Sequence, residues 1–147
     1  MSTGRQAGFT LLEVMLSVAI ITVLTGVTLP LYESFVRRND LDLTAQSVAA
    51  AIRRAETYAR ANNGDSVWGV AFRASGVTVY KGTSYAGRNS GFDETVTIPG
   101  SVSVSGLSEV NFAKLSAAPS VTGAVTLTST TNDVRTVTVN AKGMVDY

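Results

Sequence analysis

The residue types that most often carry catalysis are missing from this sequence or have no useful spacing. Its 147 residues include no cysteine and no histidine, which excludes thiol nucleophiles, disulfides, zinc–thiolate sites and imidazole acid–base chemistry. Carboxylates, hydroxyls and amines remain, but they form no paired-carboxylate motif, no phosphate-binding glycine loop and no calcium-binding loop. The sequence therefore predicts a protein that is not an enzyme and that holds no metal and no other cofactor.

One carboxylate nevertheless has an unusual position. Glu13 directly precedes the run VMLSVAIITVLTGVTLPL, residues 14–31, which is 18 residues long and contains no charged side chain. A carboxylate just inside an apolar helix costs at least about 2–3 kcal/mol in a lipid bilayer, so such a residue is expected to have a function and a cationic partner. The alternative is that Glu13 lies at the level of the lipid headgroups and has no role.

The apolar run that follows Glu13 predicts a membrane helix. At about 1.5 Å per residue, a helix of this length measures roughly 27 Å, close to the thickness of about 30 Å of a bilayer's hydrocarbon core. The alternatives are a buried core helix and a cleaved secretory signal, which is usually shorter and ends at a small-residue cleavage site. The basic residues favour a cytoplasmic C-terminal side only weakly, since acidic neighbours offset Arg37 and Arg38.

A second helical pattern follows the apolar run without interruption. Its apolar residues recur at spacings of four and three, which draws one stripe along a helix; they are Leu41, Ala45, Val48, Ile52, Ala55 and Ala59. The sequence Asn62-Asn63-Gly64 favours the left-handed conformations that end helices. One long helix is therefore predicted from Phe9 to about Asn62, with a kink or a loosened turn at Gly26 and Pro30.

The rest of the chain, residues 66–147, has the composition and spacing of β-strands. Its 82 residues include 14 valines and 11 threonines, types that favour strands. Alternating runs predict strands at 67–73, 76–81, 94–98, 101–105, 124–128 and 134–140, with a last short strand at 144–147. The predicted fold class is α+β: a long N-terminal helix, transmembrane and then amphipathic, whose stripe covers one face of a C-terminal antiparallel β-sheet domain.

Other candidate sites in the sequence have simpler structural interpretations. The formal net charge of +1, from 12 basic and 11 acidic residues, argues against a strongly basic nucleic-acid-binding protein. Residues 62–65 could offer oxygens to calcium, but a helix C-cap is the better interpretation. Trp68, Phe72 and Tyr80 could form a binding patch, but the sheet core is the better interpretation. The adjacent Asp93 and Glu94 are interpreted as the solvated start of a strand.

The first residues of the chain, MSTGRQAGFTLLE, carry its most specific pattern. A short polar leader with one Arg ends in Gly8, and Phe9, Thr10, two leucines, Glu13 and the apolar run follow in order. This order closely resembles the class III leader of the type IV pilins and the type II secretion pseudopilins. The resemblance implies that a prepilin peptidase of the membrane cleaves between Gly8 and Phe9 and then methylates the new N-terminus at Phe9.

The same resemblance implies a partner for Glu13. That partner is the methylated amine of Phe9 in the adjacent subunit, and mutual neutralisation brings a subunit into register as it leaves the bilayer for a helical filament. The family also has prolines that kink the helix, and Pro30 occupies such a position. Glu13 and Phe9 are therefore the predicted assembly residues.

The family's topology further implies a place and an organisation for the chain. The N-terminus is cytoplasmic and the globular domain periplasmic or external, in a single-pass protein of the inner membrane that later enters a filament. The implied partners are other pilin or pseudopilin subunits, the prepilin peptidase and the inner-membrane assembly platform. The implied segments are a leader at 1–8, a transmembrane and assembly helix at 9–36, and a globular domain at 37–147 made of an amphipathic helix at 37–63 and a sheet at 66–147.

The type of subunit is indicated less specifically. Residues 45–72 and 123–147 resemble the GspH/FimT group of minor pilins, and the chain lacks the C-terminal disulfide and clustered acids that major subunits often have. A minor subunit is the preferred interpretation, and a major pilin of a type IV pilus is the alternative. A further alternative is a module that binds DNA or a surface, since some relatives in this group bind DNA through basic C-terminal residues. Arg135 and Lys142 are the candidates for that contact, and two charges predict weak, salt-sensitive binding at most.

Overall fold

A computed structural model describes residues 8–147, without the side chains of residues 27–31, 33 and 34. Helix α1 spans Leu11–Arg60, so the helix predicted from Phe9 to about Asn62 is confirmed to within two residues at each end. The chain forms two compact units, one ending at Val36 and the other comprising Arg37–Tyr147. The predicted leader lies outside the described residues except for Gly8, and so does the side chain of Pro30, so the kink there stays a prediction.

In the second unit, α1 buries the stripe that the sequence pattern predicts. Each of its six members is 2% exposed or less: Leu41, Ala45, Val48, Ile52, Ala55 and Ala59. Their spacing places them on one side of the helix, so burial of this side, rather than helix propensity alone, holds the segment in place.

The C-terminal end of α1 is closed by two separate segments. The N–H groups of Asn62 and Leu115 both donate to the carbonyl oxygen of Ala59, at 3.1 and 2.8 Å. Asn62 adopts a left-handed conformation with φ of 51°, which confirms the helix stop. The carboxylate of Asp65, one of the oxygens considered for calcium, instead accepts a hydrogen bond from Lys114 Nζ at 3.0 Å.

Eight antiparallel strands follow the helix and form two sheets. The strands are β1 Trp68–Arg73, β2 Gly76–Lys81, β3 Asn89–Thr97, β4 Val102–Gly106, β5 Glu109–Phe112, β6 Gly123–Ser129, β7 Val134–Val139 and β8 Val145–Asp146. The first sheet has the order β3-β2-β1-β5 and the second β4-β6-β7-β8. The α+β fold class is confirmed, and the architecture of helix and antiparallel strands is consistent with a pilin-like fold.

The strands differ from the predicted ones in three respects. They divide between two sheets instead of forming one, and β5 has no counterpart among the predicted strands. The third difference concerns β3, which begins at Asn89 inside the expected irregular loop. Asp93 and Glu94 consequently lie in the middle of β3, where each is paired with an arginine. Their interpretation as a solvated strand start is wrong, because both are partly buried and charge-paired, Glu94 across the fold with Arg54 and Asp93 locally with Arg88.

One continuous hydrophobic core joins α1 to both sheets. The first sheet contributes Val70, Phe72, Val77, Val79, Val110 and Phe112, and the second contributes Val102, Val125, Leu127, Val137 and Val139. Trp68 and Phe72 belong to this core, which confirms that they are not an exposed binding patch. The helix stripe thus has apolar partners in both sheets, which favours packing of all three elements together.

Polar contacts tie the start of this helical segment to the second sheet and its flanking turns. Arg135 Nε lies 2.8 Å from Asp42 Oδ1, Arg38 Nε lies 3.9 Å from Asp133 Oδ2, and Ser101 Oγ donates to Asp40 Oδ2 at 3.0 Å. We call these three pairs the entry contacts, because they lie where α1 enters the second unit. They fix the direction of the helix beside the sheet in addition to its buried stripe.

A charged contact on another side of α1 binds the helix to β3. Glu94 accepts hydrogen bonds from Arg54 NH1 at 2.6 Å and from the hydroxyl of Tyr58 at 2.8 Å. The hydrogen bond from Arg54 lowers the pKa of the Glu94 carboxyl below its ordinary value of 4.5, although partial burial opposes the shift. The contact therefore stabilises the fold only while Glu94 is ionised.

We expect this contact to make stability depend on pH at the acidic end. A lowered pKa in the folded state adds stability above the unfolded pKa, and this stability is lost as the pH falls below about 4.5 through the folded pKa. Because the pair is partly exposed, the loss is at most about 1 kcal/mol. Thermal unfolding of the wild type and of Glu94→Gln should differ at about pH 7 and converge near pH 3. An equal difference at both pH values would contradict this role.

The face of the first sheet that points away from α1 is covered by the loop between β2 and β3. Tyr80 is fully buried there, and its hydroxyl donates to Asn111 Oδ1 at 2.7 Å. Burial raises the pKa of Tyr80 above its ordinary value, so the phenol keeps its proton and can donate. The loop residue Tyr85 lies edge-on to the Tyr80 ring with centroids 5.7 Å apart, and its N–H donates to Glu109 Oε2 at 3.0 Å. Tyr80 is therefore a buried structural residue, as the simpler interpretation predicts.

Candidate functional site at the start of helix α1

The first turn of α1 is set by a threonine cap. The N–H of Glu13 donates to Thr10 Oγ1 at 3.2 Å, and the N–H of Val14 donates to the carbonyl oxygen of Thr10 at 3.2 Å. Thr10 is thus the N-cap residue, and the spacing Thr-x-x-Glu is that of a capping box. Sequence reasoning did not single out Thr10, although this spacing was the signal that could have found it.

The cap fixes Glu13 in the first turn of the helix. Glu13 is the acidic residue of this turn, at the end of the helix where the backbone dipole favours a negative charge. Within residues 8–147, the Glu13 carboxylate makes no hydrogen bond or ion pair with another side chain. The residue is exposed and available to a partner from outside the chain.

The other polar side chains of this segment are satisfied within the helix. The hydroxyls of Ser17, Thr22 and Thr25 each donate to the carbonyl oxygen four residues earlier, at 2.7, 2.8 and 2.7 Å. Such bonds remove the need for water or for a polar neighbour. Among the side chains described for residues 11–26, Glu13 is therefore the group that most needs an external partner.

Around Glu13, α1 exposes large apolar side chains on every side. Between 49% and 79% of the surface of each remains accessible in the isolated chain; they are Leu11, Leu12, Val14, Met15, Leu16, Val18, Ile20, Ile21, Val23 and Leu24. A helix that is apolar all round is ordinarily covered by lipid or by other protein. Within the residues that the structure describes, no helical stretch is both long enough and apolar enough to cross a membrane.

The two residues of the predicted cleavage site immediately precede the cap. Gly8 and Phe9 are both exposed, and no atom lies within 4 Å of the position that a Cβ on Gly8 would occupy. Phe9 is 84% exposed. The structure therefore brings Gly8, Phe9, Thr10 and Glu13 together within one helical turn and the residues before it.

The residues considered for a DNA contact are not brought together. Arg135 lies in β7 and belongs to the entry contacts, with its guanidinium bound to Asp42 and to the carbonyl oxygen of Val134. Lys142 lies in the turn after the other end of β7. The two cations consequently form no shared site within the described structure.

Comparison with known proteins gives one match, and it falls on this site. A family model described as the prokaryotic N-terminal methylation motif matches residues 3–29. The matched range contains the Gly8–Phe9 bond, the Thr10 cap, Glu13 and most of the uncharged run. Searches of curated proteins and of solved structures found no match.

Proposed function

Because residues 3–29 carry the N-terminal methylation motif, the class III leader of the type IV pilins and pseudopilins, we propose that this chain is a filament subunit. It is made as a precursor, cleaved between Gly8 and Phe9, N-methylated at Phe9, and assembled through residues 9–36 into a helical filament. The family of this motif is one of structural subunits, so assembly rather than catalysis is the proposed activity. The match over residues 3–29 is the observation that carries the proposal.

The geometry at the start of α1 supports a specific assembly contact. Cleavage after Gly8 leaves Phe9 with a free amine just before the Thr10 cap. The exposed Glu13 carboxylate then meets the amine of Phe9 from the adjacent subunit, and each charge neutralises the other in an apolar surrounding. The nearby hydroxyls already donate to carbonyl oxygens within the helix. The pair of Glu13 and the Phe9 amine is therefore the polar contact that sets the position of one subunit relative to the next.

Before assembly, the proposed location of the precursor is the inner membrane. Support comes from the uncharged run at residues 14–31 and from the apolar side chains that α1 exposes over residues 11–24. The proposed orientation places the N-terminus in the cytoplasm and residues 37–147 in the periplasm or outside. The prepilin peptidase and the inner-membrane assembly platform are the partners that this route requires.

Within the family, we place the chain among the minor, GspH/FimT-like subunits of a type IV pilus or a type II secretion pseudopilus. The residue pattern at 45–72 and 123–147 supports this choice, and a major pilin is the alternative. A role in DNA binding gains no support from the geometry, because Arg135 is bound to Asp42 and lies apart from Lys142.

Mass spectrometry of filaments sheared from cells tests the proposal directly. We expect a peptide that begins at N-methylated Phe9, scarce in filaments for a minor subunit and present in membranes. A dominant Phe9 peptide in filaments would instead identify a major pilin. A chain that still carries Met1 to Gly8 in cells with an active prepilin peptidase would contradict the filament role itself.

A further inference from the structure

The turn between α1 and β1 contains an asparagine that is followed by a glycine, Asn63–Gly64. A hydrogen bond from the N–H of Asp65 to the carbonyl oxygen of Asn62, at 3.1 Å, closes this turn. Asn63 and Gly64 lie between these two groups, and both are exposed. Gly64 has φ of 65°, a left-handed conformation that glycine adopts without strain. The two residues are therefore on the surface, directly after the end of α1.

Asparagine is one of the thermolabile residue types, because its side chain can react with the backbone of its own chain. The backbone nitrogen of the next residue bonds to the side-chain carbonyl carbon, and the bond from that carbon to the side-chain nitrogen breaks. A five-membered succinimide ring forms and ammonia leaves. Water then opens the ring at either carbonyl, which gives aspartate or isoaspartate, so water is the co-reactant. The reaction needs a backbone N–H that is free to lose its proton and a side chain that is free to turn toward it.

Both conditions are met at Asn63–Gly64. Within residues 8–147, neither the N–H of Gly64 nor the side-chain amide of Asn63 makes a hydrogen bond. The ammonium group of Lys81 occupies the place that a Cβ on Gly64 would take, so a positive charge lies near the nitrogen that must lose its proton. The acidic residue of the turn, Asp65, is paired with Lys114 at 3.0 Å. The surroundings therefore favour attack by the Gly64 nitrogen.

The structure holds other exposed asparagines more firmly. Asn132 also has a left-handed backbone, with φ of 63°, but the N–H of the next residue, Asp133, donates to Ser129 Oγ at 3.2 Å. The side-chain oxygen of Asn140 accepts two backbone N–H donors, at 2.9 and 3.0 Å. No other asparagine in the sequence is followed by glycine. These differences single out Asn63.

We propose that Asn63 is a modification site, at which reaction with the Gly64 nitrogen converts the asparagine to aspartate and isoaspartate. The backbone carbonyl oxygen of Asn63 accepts a hydrogen bond from Trp68 Nε1 at 2.8 Å, which joins the end of α1 to the start of β1. In isoaspartate the main chain continues through the side-chain carbon, and the former backbone carbonyl becomes a free carboxylate. The contact with Trp68 is then displaced. The modification is independent of the proposed filament role.

Peptide mass spectrometry of the full-length protein, purified in detergent and incubated in water labelled with heavy oxygen, tests the site. We expect loss of the peptide that carries the Asn63 amide, faster at mildly alkaline than at neutral pH. Two isomeric products should replace it, each with one labelled oxygen from the opening of the ring. The peptides of Asn132 and Asn140 should keep their amides over the same time.

A second sample, unfolded in urea, shows what the sequence does without the fold. Conversion of Asn63 should be similar in the folded and unfolded samples, whereas Asn132 and Asn140 should be slower in the folded one. If Asn63 converts in urea and keeps its amide in the folded chain, the fold protects it and the proposal is overturned. A single product without isoaspartate would exclude the succinimide route.

The fluorescence of Trp68, the single tryptophan, tests the structural consequence. We expect a shift of its emission that grows with the converted fraction. Asn63→Gln keeps an amide at the same place but has one more carbon, which disfavours closure of the ring, so this variant should show no shift. An equal shift in Asn63→Gln, or unchanged emission from fully converted chains, would overturn the displacement of the Trp68 contact.

Discussion

Replacing Glu13 with alanine should leave the precursor in the membrane and keep it out of filaments. The substitution removes a carboxylate whose cost in lipid is about 2–3 kcal/mol, so the membrane state becomes more favourable by about this amount. It also removes the proposed partner of the methylated amine on the neighbouring Phe9. The more favourable membrane state alone corresponds to a loss of incorporation into filaments of about 30- to 140-fold. Quantitative immunoblotting of sheared filaments and of membranes from the same cells measures the ratio.

A neighbouring polar residue, Ser17, provides the control for the Glu13 substitution. Ser17 lies one turn further along α1, and its hydroxyl donates to the carbonyl oxygen of Glu13 at 2.7 Å. Ser17→Ala should enter filaments normally, because that hydroxyl is satisfied inside its own helix. Normal incorporation of Glu13→Ala would contradict the assembly role. Failure of Glu13→Ala to lose its leader would place the residue at the cleavage step instead.

Adding a single methyl group at Gly69 should destabilise the globular unit by about 2–4 kcal/mol, from overpacking of about 1–3 kcal/mol and a lost hydrogen bond of about 1 kcal/mol. Gly69 lies in β1 directly between Tyr80 of β2 and Asn111 of β5. The Tyr80 side chain crosses over the glycine to reach Asn111. A Cβ on Gly69 would lie 2.6 Å from both Cζ and the hydroxyl oxygen of Tyr80, and it would also overlap Asn111 Oδ1. Because both neighbours are held by strand pairing, neither can move aside without breaking their hydrogen bond. Urea unfolding of Gly69→Ala, followed by the fluorescence of the single tryptophan, Trp68, measures the change.

Substitutions at Gly100 and at Tyr80 provide the controls for Gly69. Gly100→Ala adds the same methyl group at a position with no atom within 4 Å, so the free energy of unfolding should change little. In a Tyr80→Leu background the ring that obstructs the new methyl group is absent, so Gly69→Ala should cost clearly less than in the wild type. Equal costs in both backgrounds would show that the crowding around Tyr80 is not the cause.

The helix and the candidate site could be predicted from sequence because both depend on local order. The stripe from Leu41 to Ala59 follows the period of the helix, and the left-handed tendency of Asn62 and Gly64 marks its end. The pattern of Gly8, Phe9 and Glu13 is likewise continuous in sequence, and the family match at residues 3–29 falls on it. The capping role of Thr10 could have been predicted for the same reason, because the cap depends on the spacing within four consecutive residues.

The arrangement of the strands could not be predicted in the same way because it depends on distant partners. β5 has only four residues, and its register comes from pairing with β1, from which it is separated by three strands in the chain. Glu94 looks like a surface residue by type, and only the fold brings Arg54, which is 40 residues away in the chain, beside it. The division into two sheets likewise follows from which strands meet around α1, which no alternation of residue types encodes.

If the chain is pulled or bent as a subunit of the proposed filament, the entry contacts have a mechanical consequence. A load that reaches the globular unit through the backbone at residue 37 acts along α1, and the Arg38–Asp133, Asp40–Ser101 and Asp42–Arg135 contacts are the first interactions that it meets. Their helix residues are 38, 40 and 42, so a load that enters at residue 37 reaches the three contacts in that order. These polar pairs are exposed or only partly buried, so they break and re-form more readily than the apolar stripe from Leu41 onward, which remains packed. The start of this helical segment therefore acts as a reversible clamp that yields before the core does.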